Sequence, residues 1–400
     1  MKFSYGKTAL LGLGFFVITL TWALYNAYVP IFLFRYLSSG FLVGFIMTLD
    51  NIAAITLQPY FGAKSDVTQT QFGRRMPYLL IGMPISAIAF ALIPLGYLSG
   101  LAMLVAAVLV FNGAMSIYRA PTIALMPDLT PPTERSKANG VINLMGGLGG
   151  VLAFFAGAKL YEADPRLPFV LSGVLMVLVI IVLYLGIKEP DRRETDKDGS
   201  GMGIMEAFVY VLKEEEKSTF YLLLAILFWF MGYGAVEAFF TAYGVFHLGI
   251  TESAAALSLG FFSLSFLVFA VPSGFIATRI GRRKTILIGL VGLIFTFGCL
   301  NFMAEILPIR ILLLIAGFFW ALVNINSYPM VVDMTTEKNI GVYTGLYYFY
   351  SSLAAILSPM LFGAIRDLLG FGPLFIYALL FFILAAGFTL MVRRGEISYN

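Results

Sequence analysis

Three ionisable side chains stand where charge is expensive. Asp50, Arg119 and Glu237 each interrupt a long apolar run of this 400-residue sequence. A charge buried in an apolar medium needs a partner, a hydrogen-bond shell or access to water. Asp50 and Arg119 can supply one another. Counted at 1.5 Å per helical residue, Asp50 lies on the order of 18 Å inward from Gly62, and Arg119 on the order of 13 Å inward from Asp128. A carboxylate and a long guanidinium at such depths offset each other's desolvation. Two readings stay open for the pair: a static buried clasp, or a pair opened by a proton or a substrate. Glu237 has no cation near it in sequence. It suits a proton carrier, or a residue solvated at the outer mouth of a cavity.

The elements that carry these residues follow from composition. The chain is 60% hydrophobic and 12% charged, with a mean hydropathy of +0.90. Soluble domains carry roughly a quarter charged residues, so the solvent for this surface is lipid. One cysteine, Cys299, excludes an internal disulfide and a multi-cysteine metal site, and one histidine, His247, excludes the usual zinc clusters. Neither a nucleophile–base constellation nor an ATP-binding motif is present, so the sequence does not read as an enzyme. The basic residues lie at segment ends, which argues against nucleic acid as a partner.

A membrane-crossing helix needs about 20 mostly apolar residues. Such runs occur near 8–34, 40–62, 76–98, 101–127, 137–160 and 168–187, and resume near 219–246, 253–278, 284–303, 308–332, 340–364 and 372–392. The expected fold is an all-α membrane protein of twelve transmembrane helices. The expected parts are an N-terminal six-helix bundle at 1–187, a cytoplasmic linker at 188–218 with a short surface helix near its end, and a C-terminal bundle at 219–400. All Lys and Arg residues except Arg35, Arg119, Lys159, Arg166, Arg310 and Arg366 fall on the side that carries both termini. The positive-inside rule makes that side cytoplasmic and predicts a multi-pass protein of the cytoplasmic (inner) membrane.

The two groups of six are copies. "FGAKSDVTQTQFGRRMPYLLIG" matches "SGFIATRIGRRKTILIG", and "MPDLTPPTERSKANG" matches "VVDMTTEKNIGVYTG". Six-span halves with cytoplasmic ends resemble the major facilitator superfamily over essentially the whole chain. The loop from Gly62 to Arg75 is similar to that family's G-x-x-x-D-R-x-G-R-R loop. It lacks the Arg after Asp66 and has a longer spacer, while the second copy has Thr278 where the acid would be. "QPYFGAKSDVTQTQFGRRMPYLLIG" further resembles plant-type sucrose transporters and their bacterial relatives. The neighbouring glycoside–pentoside–hexuronide sodium symporters carry an acid where this chain has Gln58. That difference favours protons as the coupling ion, with sodium as the alternative and no other cofactor expected.

The resemblance implies a cavity lined by helices one, four, seven and ten. On them lie Trp22, Tyr25 and Asn26; Asn112, Tyr118 and Arg119; Trp229, Tyr233 and Glu237; and Trp320, Asn324 and Asn326. Flat aromatic faces, amides and charges are what a sugar needs in a partly apolar pocket. The same inventory suits a multidrug pocket, and the tryptophans also have a bland reading as lipid-facing filler. The loop motif implies a cytoplasmic latch. Asp66 would meet a helix N-terminus of the other half, Gly73 would turn the loop, and Arg74 or Arg75 would pair with Asp128. In the second half Arg282 or Arg283 would pair with Asp333. The first latch is expected to be the stronger, because Thr278 supplies no charge. The glycine-rich "NLMGGLGGVLAFFAG" has no phosphate-loop lysine and reads as a small-x-x-x-small packing face at Gly146 and Gly150. The resulting expectation is a monomeric secondary transporter of a sugar or glycoside, working by proton symport. The alternatives are a drug or metabolite exporter on the same fold and, more remotely, a membrane enzyme or sensor.

Overall fold

The computed structural model describes residues 4–131, 134–189, 216–335 and 340–394. Most of the linker expected at 188–218, including most of its surface helix, lies outside them, as does Lys338. Among the described residues there are twelve helices and no strand. They are α1 Tyr5–Phe34, α2 Gly40–Val67, α3 Met76–Ser99, α4 Leu101–Leu129, α5 Arg135–Ala163 and α6 Leu167–Gly186 in the first half of the chain. The second half contains α7 Ser218–Phe246, α8 Glu252–Ile280, α9 Arg282–Leu300, α10 Ile306–Val332, α11 Ile340–Leu369 and α12 Leu374–Met391. All twelve include a stretch long and apolar enough to cross a membrane. In lipid every backbone N–H and C=O must be satisfied within the segment, which is why these runs become helices rather than open strands.

The chain forms two compact units. The first comprises Met1–Ser38, Phe45–Asp196 and Thr251–Gly260; the second comprises Ser39–Gly44, Lys197–Ile250 and Phe261–Asn400. In the first unit α1 packs on α5 and α6, and α3 packs on α4 and α6. In the second, α7 packs on α11 and α12, and α9 packs on α10 and α12. Each partnership recurs six helices later, so the sequence repeat is a repeat of packing. Small residues set the approach. A methyl group on Gly149 would overlap the Phe16 carbonyl, so α5 and α1 meet backbone to backbone at that point, one residue from Gly150 of the Gly146 and Gly150 face read from sequence.

Two glycines turn the repeated loops. Gly73 (φ 104°) and Gly281 (φ 90°) both adopt a conformation that L side chains rarely take, immediately before an Arg-Arg pair. Outside the packed interior, large apolar side chains such as Leu185, Ile88 and Val291 are exposed on the helix surfaces. Such a surface is stable against acyl chains.

Candidate functional site

In the first unit, mid-span polar residues converge from α1, α2 and α4. The Arg119 guanidinium lies 4.5 Å from the centre of the Trp22 ring, a cation–π geometry. Asn112 donates from Nδ2 to the Tyr25 hydroxyl at 3.3 Å, and Tyr25 stacks on Phe111 at 5.7 Å. Asp50 is 7% exposed and accepts from the backbone and side-chain nitrogens of Asn51 at 2.6 and 2.8 Å. It is close enough to the Tyr25 hydroxyl to act on it electrostatically. Asn26 is buried on α1 beside Tyr25 in sequence. The order of exposure matters: Trp22 and Arg119 are half-buried, whereas Tyr25, Asn112 and Tyr118 are enclosed.

In the second unit, α7 turns Phe230, Tyr233 and Glu237 to one partly open face. Residues three and four apart share a helix face, which fixes this stripe. Tyr233 stacks on Trp320 of α10 with ring centres 4.4 Å apart and planes 9° from parallel. Its other neighbour is Phe262 at 5.8 Å, and Phe230 meets Trp320 edge-on at 5.7 Å. The Tyr233 hydroxyl hydrogen-bonds the Glu237 side chain, one turn further along the helix. The arrangement places a carboxylate beside a rigid aromatic cluster inside a span. Asn324 is half-buried on α10.

Two further residues expected at the site are enclosed in this structure. Trp229, one turn before Tyr233 on α7, is fully enclosed, and its neighbour Phe230 is half-buried. Asn326 is also enclosed, and its Nδ2 donates to the Leu322 carbonyl of its own helix at 2.9 Å. Trp320, 3% exposed, presents its ring to Tyr233 and Phe230 rather than to open space.

The loop after α2 builds a charged cluster in the first unit. Arg75, 5% exposed at its side chain, pairs with Asp66 and, through Nε, with Asp128 at 3.1 Å. Its Nη1 donates to the Gly62 carbonyl at 3.2 Å and to the Ser65 hydroxyl. Arg74 adds a second bond to Asp128 at 3.1 Å. Asp66 therefore sits within the cluster of its own loop. In the second unit Arg282 pairs with Asp333 and donates to the Pro329 carbonyl at 3.1 Å. Arg283 turns instead to the carbonyls of Thr389 and Leu390 at the end of α12. Thr278 spends its hydroxyl on the Phe275 carbonyl.

Sequence reasoning missed Glu189. Its carboxylate accepts from the backbone N–H groups of Arg74, Arg75 and Met76 at 2.8, 3.0 and 2.7 Å, closing the start of α3. The first N–H groups of a helix have no partner inside it, and Pro77 leaves α3 without another local cap. The signal was present as an acid in "IKEP" at the end of α6, but it becomes legible only by asking which acceptor serves α3. Gly73 is needed for the same contact, because a side chain there would strike the Glu189 carboxylate. Substituting Glu189→Ala should lower stability by about 1–2 kcal/mol. Glu189→Gln, which keeps an acceptor without charge, should cost about 0.3–1 kcal/mol. Hydrogen exchange at the Arg74, Arg75 and Met76 amides reads both; unchanged exchange in the Ala variant would discard the cap.

Residues 11–359 and 245–398 match the sequence pattern of the Major Facilitator Superfamily. The chain belongs to that family. Its superfamily fold is shared by a solved bacterial homologue of the human lysosomal transporter Spinster, in an inward-facing and occupied conformation. That likeness has a TM-score of 0.79 at 14% identity and covers 99% of this chain and 98% of that one. Among sequence relatives, the class B tetracycline resistance protein of Escherichia coli is 26% identical over 330 residues, 81% of this chain and 79% of that protein. The sucrose transport protein SUC3 of Arabidopsis thaliana is 29% identical over 135 residues, 29% of this chain and 23% of that protein. The superfamily member described here is a multi-pass membrane transporter, not an enzyme.

Proposed function

We propose that this superfamily member is a secondary active transporter that moves a sugar or glycoside by alternating access, coupled to protons as a symporter. One observation carries the reading: in each unit a mid-span charge is held against an aromatic ring. Arg119 lies over Trp22, and Glu237 is bonded to Tyr233, which is stacked on Trp320. Aromatic faces suit the C–H faces of a pyranose, and the charged groups suit its hydroxyls. Glu237 and Asp50 are the proton-carrying carboxylates of the proposal, and Arg119 is the partner that Asp50 releases on protonation. Gln58, where sodium-coupled relatives have an acid, favours protons as the coupling ion. The sequence similarity to a sucrose transport protein supports the substrate class. The Arg- and Lys-rich side faces the cytoplasm in this reading, the protein acts as a monomer in the cytoplasmic (inner) membrane, and the charged loop clusters close the cytoplasmic side.

A second reading has its own support. The long match to a tetracycline resistance protein favours an exporter of an apolar or cationic compound, with Glu237 as the proton antiport site. Counterflow in proteoliposomes separates the two. With a panel of labelled mono- and disaccharides under a pH gradient, a sodium gradient or none, the proposal expects saturable sugar exchange and sugar-driven proton entry. Exchange of tetracycline without exchange of any sugar would establish the second reading in its place.

A further inference from the structure

The two Arg-Arg loops are unequal in charge. In the first unit Asp66 and Asp128 pair with the loop arginines, and Glu189 caps the start of α3. In the second unit Thr278 stands in place of the first acid, and Arg393 and Arg394 follow α12 where Lys188 and Glu189 follow α6. The bonds from Arg283 to the Thr389 and Leu390 carbonyls bring the end of α12 to the start of α9, as the end of α6 meets α3. The cap residue of α9 is Gly281, which has no side chain to offer, and the first turn of α9 holds no acid. Asp333 is paired with Arg282, and Glu216 with Arg394 at 3.0 Å. Arg279 and Lys284 stand exposed on either side of the turn at Gly281. The second loop therefore gathers positive charge where the first gathers carboxylates.

A groove of about 380 Å³ opens beside this charge, lined by α8, the start of α9 and α10 of the same unit. Its two ends differ. Thr278 and Arg282 line one end, while Val271, Phe275 and Ile325 line an apolar wall. Asn326 also borders the groove, with its Nδ2 given to the Leu322 carbonyl. Counted at 1.5 Å per helical residue, Val271 lies about 10 Å further into the span than Thr278. Val271, Phe275 and Arg279 are spaced by four, so one face of α8 is apolar inside the span and basic at its end. Val271 is 68% exposed and Phe275 67%, a surface that acyl chains cover well and that would be costly along a water-filled path.

We propose that this groove binds an anionic phospholipid of the leaflet on the Arg- and Lys-rich side, its phosphate between Arg279 and Lys284 and an acyl chain along Val271 and Phe275. Charge complementarity decides the occupant. The phosphate supplies the negative charge that the first unit takes from its own acids, and neutral Thr278 does not repel it as Asp66 would in the first loop. The Arg282–Asp333 pair stays closed beside it. Each basic residue at a membrane surface strengthens the attraction to anionic lipid by roughly fivefold. An apolar wall running into the bilayer from that charge matches the shape of a lipid, not of a free anion. The site does not depend on the identity of the transported substrate.

The test uses the full chain in phosphatidylcholine nanodiscs, without substrate, and a phosphatidylglycerol probe with a photoreactive diazirine in its acyl chain. Peptide mapping should find the label between Val271 and Arg279. Unlabelled phosphatidylglycerol should compete for it, and further phosphatidylcholine should not. Arg279→Gln together with Lys284→Gln should lower the labelling by roughly ten- to thirtyfold. Lys7→Gln together with Lys64→Gln, which removes the same charge from exposed positions of the first unit, should leave it nearly unchanged. Thr278→Asp should also displace the lipid. Because that variant restores the acid of the first loop, it should do so without lowering the thermal unfolding temperature, which separates loss of the site from misfolding. Equal labelling in the two double variants, or a label spread evenly over the exposed spans, would overturn the proposal. So would displacement by inorganic phosphate alone, which would assign the charge to a soluble anion.

Discussion

Glu237→Gln is expected to reduce uphill accumulation of substrate to equilibrium while leaving exchange across the membrane intact. The argument starts from geometry. The Tyr233 hydroxyl donates to the Glu237 side chain, and Tyr233 is itself fixed against Trp320 and Phe262. Glutamine has nearly the same shape and keeps a carbonyl acceptor for Tyr233, so the aromatic cluster should stay in place. It cannot gain or lose a proton in the working range. Exchange needs only the conformational cycle with substrate bound, but accumulation needs a proton carried on each turn. The two readouts therefore part: counterflow persists, and the accumulation ratio driven by a pH gradient falls to unity. A Gln variant that still concentrates substrate would remove Glu237 from the coupling path. Asp50→Asn is the second arm. It mimics the protonated carboxyl that the proposal has release Arg119, so it too should abolish accumulation while counterflow persists. In the exporter reading the same pair of variants gives the same split, because coupling rather than substrate is being measured.

Part of this arrangement was legible in the sequence, for physical reasons that can be named. Bilayer thickness fixes helix length, so apolar runs alone mark twelve spans. The repeat is legible because Gly73 and Gly281 serve the same left-handed turn in both halves, and few residues replace glycine there. The Arg-Arg pairs and the acids Asp128 and Asp333 could be matched because charges at segment ends are few. The faces of the helices were not legible. In a water-soluble helix the polar stripe shows which side is buried, but α7 is apolar around most of its circumference. Nothing in its sequence separates Trp229, enclosed among neighbours, from Phe230, which shares the open face with Tyr233 and Glu237. Glu189 and Asp367 were missed for another reason. Each satisfies the N-terminus of a helix distant in sequence, α3 and α2, and such caps depend on which chain ends meet in space. Helix boundaries read from hydropathy give the position of an unsatisfied N–H group but not the acceptor that reaches it.

The two Arg-Arg loops, alike in sequence, are expected to differ in what their arginines hold. Arg75 serves two carboxylates, the Gly62 carbonyl and the Ser65 hydroxyl at once, and it is almost fully enclosed. Arg75→Ala leaves Asp128, itself 11% exposed at its side chain, with only the single bond from Arg74. Breaking such a buried cluster by removing one partner costs about 3–5 kcal/mol, because the remaining charge stays desolvated. Arg75→Lys should recover little, since one ammonium cannot present the planar fork that reaches these acceptors together. Arg282 is 24% exposed at its side chain, and its bonds include the Asp333 carboxylate and the Pro329 carbonyl. Water can enter in its place, and Arg282→Ala should cost about 1–3 kcal/mol. Arg283, bonded to carbonyls at the end of α12, cannot take over Asp333 without giving up those bonds. Thermal unfolding in detergent micelles should therefore rank Arg75→Ala below Arg282→Ala, and Arg75→Lys close to Arg75→Ala. The ranking follows from Asp66, the acid that the second copy replaces with Thr278. Introducing Thr278→Asp should then narrow the gap by giving the second cluster its missing carboxylate. Equal losses for Arg75→Ala and Arg282→Ala would mean that the extra partners of Arg75 contribute nothing, and that the two loops are equivalent despite their different charge.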